Sequence, residues 1–233
     1  KMEAELKLAL PSRAAMDRVL TSLRATDHGV MQTSTFFDTP AATLRSAGFA
    51  VRIRREQELA SGGHVAWVIT AKGPKQCAPE LADSMTIRPE EDIRVSPEAA
   101  ASILSGERSV LSVLMQSAMV TRMLQVQGPE PLQARERFEN TRVRVPYTLR
   151  TSVGELVVQL EFDETRYKHG YATETHWECE CELPPARVAS LAAPAQAALQ
   201  EMLASICGCE CPAAAGGKLK RYRKFLKKTA TLD

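Results

Sequence analysis

The chain has 233 residues, which is enough to bury the core of one large domain or two small ones. Hydrophobic residues make up 44% of it and charged residues 25%, an ordinary composition for a soluble globular protein. The formal net charge of +2 argues against a general nucleic-acid binder. No apolar run of 18 residues is present, so we expect no membrane span. No signal-peptide pattern is evident, and we therefore expect a cytoplasmic protein.

The first predicted strand, residues 2–8, alternates charged and apolar residues. Successive side chains of a strand point to opposite faces, so Glu3, Glu5 and Lys7 share one face and the apolar residues share the other. An exposed edge strand would show the same pattern. However, the alternation recurs in three later segments of the chain, and this recurrence predicts a sheet closed around a charged interior.

An amphipathic helix follows, and then two strands are predicted within residues 31–56. The first of these strands ends at Asp38, before a Thr-Pro pair, and the second covers residues 49–55. In the second strand Arg52 and Arg54 share one face, while the opposite face is apolar. Arginine side chains on one sheet face can be solvated surface residues, or they can bind phosphate bidentately.

The middle of the chain alternates predicted strands with helical segments. Residues 65–72 form a strand that ends at Gly-Pro, residues 75–84 form a loop, and residues 85–95 form a strand containing a proline that only an edge or bulge tolerates. A Ser-Pro-Glu sequence then opens a helical region over 97–118. Residues 119–127 are predicted as a further strand.

Acidic residues alternate along two neighbouring strands, predicted over 155–163 and 171–183. Five carboxylates on adjacent strands would repel one another unless cations neutralise them. Carboxylate oxygens of this kind suit magnesium or manganese. A solubilising acidic sheet face is the alternative. The five residues are Glu161, Asp163, Glu178, Glu180 and Glu182.

Six cysteines are more than a typical cytosolic chain needs. Cys179 and Cys181 alternate with the glutamates of their strand, so we expect them to face helices on the other side. Cys207, Cys209 and Cys211 form a CxCxC run, which is not the usual CxxC spacing of a zinc site. Small buried hydrophobic residues are the favoured interpretation of these thiols, and a disulfide framework is not expected.

The C-terminal part begins with an alanine-rich helix over 186–206, predicted to be interrupted near Pro194. Residues 216–225 then form the most basic run in the chain. Taken alone, such a run is typical of a nucleic-acid or membrane-surface patch.

Several segments, in order along the chain, resemble motifs of the CYTH superfamily, the triphosphate tunnel metalloenzymes. Glu3-x-Glu5-x-Lys7 resembles its ExExK signature, and residues 31–56 resemble its FDTP-to-RiRr block. Residues 65–72, 85–95, 155–163 and 176–183 resemble its later strands, and residues 217–222 its basic motif near the end of the module. The resemblance covers essentially the whole chain. It implies one α+β domain over 1–233, a closed antiparallel eight-stranded β-barrel (the tunnel) with helices packed outside.

The resemblance assigns basic residues on the inner face of the barrel to substrate binding. Asn140 stands where relatives commonly carry an arginine, so either of two nearby arginines could take that role, and Gly217 replaces the usual serine. The expected substrate-binding residues are Lys7, Arg52, Arg54, Lys72, Arg88, Arg142, Arg144, Lys218 and Arg221. Four of them, together with Glu3 and Glu5, are expected to be catalytic: Lys7, Arg52, Arg54 and Lys72.

Acidic residues on the same inner face are expected to hold one or two Mg²⁺ or Mn²⁺ ions. We expect one ion at Glu3, Glu5 and Glu180, and a second nearer Glu161, Asp163 and Glu178. The full set of predicted ligands is Glu3, Glu5, Glu161, Asp163, Glu178, Glu180 and Glu182.

The resemblance implies metal-assisted hydrolysis of a terminal phosphoanhydride, with tripolyphosphate or a triphosphate ester as the small-molecule substrate. A class IV adenylate cyclase and a thiamine triphosphatase remain open, as does a non-catalytic polyphosphate-binding module. A nucleic-acid partner for the basic tail is the least favoured reading, no membrane partner is expected, and the chain is expected to be a monomer or a homodimer.

Overall fold

The structure is a computed structural model that describes residues 1–230 except 27, 61, 77–84 and 115–116. Most of the loop predicted at 75–84 lies outside the described residues. The strands are β1 (Met2–Leu10), β2 (Val30–Asp38), β3 (Ala50–Glu58), β4 (Val65–Lys72), β5 (Met85–Val95), β6 (Gln133–Thr151), β7 (Gly154–His169) and β8 (Ala172–Glu182). The helices are α1 (Arg13–Ser22), α2 (Thr43–Ser46), α3 (Pro97–Leu104), α4 (Ala118–Gln127), α5 (Val188–Cys207) and α6 (Lys218–Thr229), with short 3-10 turns at Val110–Val113 and Pro185–Arg187.

Within the described residues, the eight strands form one closed antiparallel barrel in the order β1-β5-β4-β3-β2-β6-β7-β8. The barrel and its helices confirm the predicted α+β class. None of the described helices is long and apolar enough to cross a membrane.

The strand predicted over 119–127 is wrong, because this segment is the helix α4. Val120, Met123 and Leu124 follow the i, i+3, i+4 spacing of an amphipathic helix, and Val120 and Met123 are buried on its inner side. The predicted interruption of α5 is also wrong, since that helix continues through Pro194.

Contacts divide the described residues into two compact units. The first consists of residues 1–3, 30–76 and 88–137, and the second of the described residues in 4–29, 77–87 and 138–233. In the first unit, Val51 of β3 and Ile69 of β4 belong to a buried core with Ile103 of α3 and Met123 of α4. The charged residues of β3 alternate with this core, and so they lie on the face turned away from these helices.

The second unit has its own core on the helix-covered face of β1, β7 and β8. Leu6, Phe162 and Cys179 are fully buried there, together with Met16 of α1 and Leu199 of α5. The predicted orientation of the β8 thiols is therefore confirmed. In a closed barrel covered by helices, the opposite face of these strands is the inner one, and it carries the charged residues.

Two features differ from the sequence expectations: the burial of one cysteine and the position of α6. Cys209 is exposed, unlike Cys207 and Cys211 beside it. Helix α6 is not packed outside: its residues Tyr222 and Phe225 pack on aromatic rings that lie on the charged faces of β6 and β7. These rings are Phe138 and Tyr167.

Candidate active site

Strand register brings the charged residues of the second unit side by side. Glu161 and Asp163 of β7 lie opposite Glu180 and Glu178 of β8, and Lys7 of β1 also lies opposite Glu180. Directly opposed residues on one face of an antiparallel sheet have Cβ atoms about 5 Å apart. The three strands therefore present one continuous charged surface.

The first carboxylate group consists of Glu5, Glu161 and Glu180. Each contributes one oxygen, and these oxygens lie within 4.8 Å of one another. The ammonium of Lys7 pairs with Glu5 Oε2 at 2.8 Å and also with Glu180. Arg142 pairs with Glu161 and with Glu180. Lysine and arginine side chains thus already neutralise this group.

The second carboxylate group consists of Asp163, Glu178 and Glu180, whose oxygens also lie within 4.8 Å of one another. Lys218 Nζ contacts all three, at 2.7 Å from Asp163 Oδ2, 2.5 Å from Glu178 Oε1 and 2.6 Å from Glu180 Oε1. Arg221 Nη2 lies 2.5 Å from Glu178 Oε2. Both basic residues belong to the first turn of α6, so this helix delivers two cations to the group.

The close approach of opposite charges keeps these groups ionised in spite of burial. Burial raises the pKa of Asp163, but the positive charges of Arg142 and Lys218 bring it below its ordinary value. Burial also raises the pKa of Glu180, which Lys218, Lys7 and Arg142 then bring well below its ordinary value. Conversely, burial lowers the pKa of Lys7, whereas Glu180 above all raises it well above the ordinary value.

Uncharged side chains complete the hydrogen bonding around Asp163. Asn140 Nδ2 donates to Asp163 Oδ1 at 2.7 Å, and Thr165 Oγ1 donates to Asn140 Oδ1 at 2.8 Å. The sequence analysis identified Asn140 only as the position where related proteins commonly carry an arginine. It missed Thr165, although Thr165 continues the alternation of inward-facing residues on β7. Arg144 Nε lies 3.0 Å from Glu161 Oε1, so this arginine also reaches the cluster.

In the first unit, Lys72 at the end of β4 is the centre of a smaller ionic group. Its ammonium donates to both oxygens of Glu3, at 2.8 and 2.9 Å, and lies 3.1 Å from Glu90. Burial raises the pKa of Glu90, but Lys72 brings it below its ordinary value. Arg88, two residues earlier on β5, is half-buried.

The arginines of β3 form a second group in the first unit. Arg52 holds its guanidinium 5.9 Å from the centre of the Phe36 ring, and Arg54 Nε lies 2.8 Å from Glu56 Oε1. Gln32 Nε2 donates to Glu56 Oε1 at 3.0 Å. Sequence reasoning missed Glu56, although it continues the parity of the two arginines. Only the register of β2 against β3, which pairs Gln32 with Glu56, could have identified Gln32.

A model of the CYTH domain family matches residues 1–189, about four-fifths of the chain. The chain belongs to the CYTH domain family. The matched range contains both groups of the first unit and the carboxylates of the second. Lys218 and Arg221 of α6 lie beyond it.

Solved structures similar to this CYTH chain cover nearly its whole length. HpAC1 from Hippeastrum, called an adenylyl cyclase and described as having a dominant triphosphatase activity, is 25% identical over 95% of each chain with a TM-score of 0.69. A Bacillus halodurans protein called an adenylate cyclase is 18% identical over 94% of this chain and 96% of that one, with a TM-score of 0.60. The Pyrococcus horikoshii protein PH1819 is 14% identical over 97% and 99%, with a TM-score of 0.54. No curated protein sequence matches.

The acidic residues of this CYTH chain fit a hard divalent cation. Both carboxylate groups, as far as the chain is described, offer oxygen ligands alone, which Mg²⁺ and Mn²⁺ prefer. Glu3 belongs to neither group and pairs instead with Lys72. Glu182, opposite Glu5 in the register, is exposed. The predicted ligands that the structure brings together are Glu5, Glu161, Asp163, Glu178 and Glu180.

Proposed function

We propose that this CYTH protein is a metal-dependent triphosphatase that hydrolyses the terminal phosphoanhydride of inorganic triphosphate. The charge balance of the second unit carries the proposal. Among the described residues in and around its two carboxylate groups, five carboxylates lie against five basic side chains: Glu5, Glu161, Asp163, Glu178 and Glu180 against Lys7, Arg142, Arg144, Lys218 and Arg221. A cluster balanced in this way can accept a divalent cation together with a polyanion, because each added charge finds opposite partners.

The two carboxylate groups are the proposed metal ligands, for one or two ions of Mg²⁺ or Mn²⁺. Glu3 and Glu182 are proposed as further ligands from the family resemblance. A bound divalent ion of this kind neutralises phosphate oxygens and lowers the pKa of a coordinated water.

The basic residues that now pair with the carboxylates would pair with phosphate oxygens once metal has taken the carboxylates. Arg142 suits this role because a guanidinium can hold two phosphate oxygens at once. Lys7 and Lys218 supply compact charges that offset the growing negative charge on the transferred group. From the family resemblance, we propose phosphate binding by further residues of the first unit and of α6: Arg52, Arg54, Lys72, Arg88 and Arg221.

We assign the positioning and deprotonation of the attacking water to Glu161. Its side chain is 22% exposed, against 0% for Asp163 and 1% for Glu178. Glu161 is thus the carboxylate of these three that an incoming water reaches most readily. A proton acceptor must lie within hydrogen-bonding distance of the water it activates.

An adenylate cyclase, which the family resemblance would place in class IV, is the second candidate, because HpAC1 is called an adenylyl cyclase and the Bacillus halodurans protein an adenylate cyclase. Thiamine triphosphatase and a non-catalytic polyphosphate-binding module are weaker candidates. We further propose that the protein acts in the cytoplasm on a small molecule, as a monomer or a homodimer.

The decisive experiment is a product analysis with tripolyphosphate, ATP, thiamine triphosphate and long-chain polyphosphate, each with Mg²⁺, with Mn²⁺ and with EDTA. We expect orthophosphate and pyrophosphate from tripolyphosphate with either metal and no release with EDTA. Cyclic AMP from ATP, without tripolyphosphate hydrolysis, would instead establish the cyclase. Tight polyphosphate binding without turnover under every condition would identify a binding module.

A further inference from the structure

The start of α6 lacks the usual side-chain cap. Gly217 occupies the N-cap position, and no side chain accepts a hydrogen bond there. Two side-chain hydrogen bonds reach the backbone of this turn: Arg221 Nη1 donates to the Gly216 carbonyl at 2.8 Å, and the Tyr167 hydroxyl donates to the Lys218 carbonyl at 2.7 Å. Tyr167 therefore bonds the backbone of the residue whose ammonium enters the second carboxylate group.

Tyr167 is itself held rigidly. It is fully buried on β7, opposite Glu174 of β8. Its ring meets Phe138 edge-on, with centroids 5.5 Å apart and planes at 87°, and its centroid lies 5.4 Å from that of Tyr222. Burial also raises the pKa of its phenol, which stays protonated and able to donate.

We infer that Tyr167 is a positioning residue for the reaction: its hydroxyl fixes the first turn of α6 so that Lys218 Nζ stays among the carboxylates of Asp163, Glu178 and Glu180. The inference rests on the proposed function, in which Lys218 binds substrate phosphate. It extends that function to a residue that contacts neither metal nor substrate.

Tyr167→Phe tests the inference because it removes the hydroxyl and keeps the packed ring. We expect the KM for tripolyphosphate to rise about tenfold, the effect of losing one good hydrogen bond, while kcat changes much less. The matched control is Thr229→Val, which removes hydrogen bonds of Thr229 Oγ1 to His169 and to the Phe225 carbonyl near the other end of α6. We expect this control to leave KM unchanged.

A double-mutant cycle with Lys218→Met separates positioning from general loss of stability. If Tyr167 acts through Lys218, Tyr167→Phe adds no further rise in KM once the ammonium is gone. The inference would be overturned if Tyr167→Phe raised KM equally in the presence and absence of the Lys218 ammonium. It would also be overturned if Thr229→Val raised KM as much as Tyr167→Phe does.

Hydrogen exchange gives a readout that needs no substrate. Tyr167→Phe should speed amide exchange at residues 221–222 relative to residues 226–229, and unchanged exchange there would overturn the inference. If the wild-type protein proves inactive on tripolyphosphate, the proposed function fails, whereas the exchange experiment still decides whether Tyr167 fixes this turn.

Discussion

Lys218 and Glu180 are 38 residues apart in the chain, and Lys218 Nζ lies 2.6 Å from Glu180 Oε1. Glu180 accepts at the same time from Lys7 and Arg142. One carboxylate thus connects β1, β6, β8 and α6, and it belongs to both carboxylate groups. Loss of a basic residue that pairs with Glu180 should therefore affect stability, metal binding and substrate binding together.

Lys218→Met should destabilise the metal-free protein by about 3 kcal/mol, since it leaves buried carboxylates without their shared cation. Mn²⁺ should then raise the melting temperature of this variant more than that of the wild type, because the ion replaces the missing charge. Differential scanning calorimetry with and without Mn²⁺ measures both effects. Lys227→Met changes an exposed lysine of the same helix and serves as the control; equal Mn²⁺ shifts in both variants would contradict the prediction.

Glu5→Gln should abolish most triphosphatase activity with little loss of stability. The change removes one charge from the first carboxylate group. Mutation of a residue that merely orients a metal ligand already lowers metal affinity or activity roughly 10- to 100-fold, and Glu5 is itself a proposed ligand. Phosphate release and Mn²⁺ titration calorimetry measure the loss. Glu155→Gln makes the same change at an exposed position of β7 and should be silent. Near-normal turnover in Glu5→Gln would refute this metal site.

Arg54→Ala should likewise remove activity, since the family resemblance assigns this residue to phosphate. The expected pattern is a raised KM and a lowered kcat with Mn²⁺ affinity unchanged, because no carboxylate of the second unit is altered. Arg150→Ala, at an exposed arginine of β6, is the control. If Mn²⁺ bound more weakly to Arg54→Ala and normally to Arg150→Ala, Arg54 would act on the metal site instead.

Acid should unfold the protein only below the ordinary carboxyl range. The pKa of Asp163 and that of Glu180 are lower in the folded protein than their ordinary values, which are about 3.9 for Asp and 4.3 for Glu. Their contribution to stability is thus fully present above those ordinary values and is lost as pH falls through the lowered ones. Urea unfolding from pH 6 to pH 2 should show this loss, and Asp163→Asn should show a smaller one. An equal loss in that variant would contradict the linkage.

Thiol reactivity should distinguish buried from exposed cysteines. Burial raises the pKa of Cys181 to about 12 and that of Cys179 well above its ordinary value, so neither should react with DTNB in the folded protein. Cys209 is exposed and should react rapidly. Cys209→Ser should remove one fast-reacting thiol and Cys181→Ser none; the reverse result would contradict the fold around β8.

Two neighbouring glycines should respond oppositely to substitution by serine. Gly217 has an extended backbone, and a Cβ added there meets nothing within 4 Å. Gly217→Ser should therefore supply the missing cap and add a few tenths of a kcal/mol. Gly216 has φ +79°, where a Cβ would lie 3.1 Å from Lys220, so Gly216→Ser should destabilise by about 1 kcal/mol. Urea unfolding midpoints measure both changes. Equal shifts would contradict the backbone conformations of Gly216 and Gly217 at the start of α6.

The sequence by itself determined which residues share a face. Alternation along a strand is a local property of the extended backbone, so the partition of Glu161 and Asp163 from Leu160 and Phe162 follows without knowledge of any partner strand. The resemblance to CYTH motifs also predicted the closed eight-stranded barrel. The strand predicted over 119–127 was wrong although the helical spacing of Val120 and Met123 is present in the sequence, because two buried positions in so short a segment indicate a helix only weakly until their packing is known.

Only the tertiary structure decided which opposite charges meet. The contact of Lys7 with Glu180 depends on the register between β1 and β8, and the contact of Lys218 with Asp163 depends on where α6 docks. Neither is encoded in local spacing, since each depends on side chains far apart in the chain that satisfy one another only after the barrel has closed. Tyr167, Asn140 and Thr165 became visible as parts of the site for the same reason.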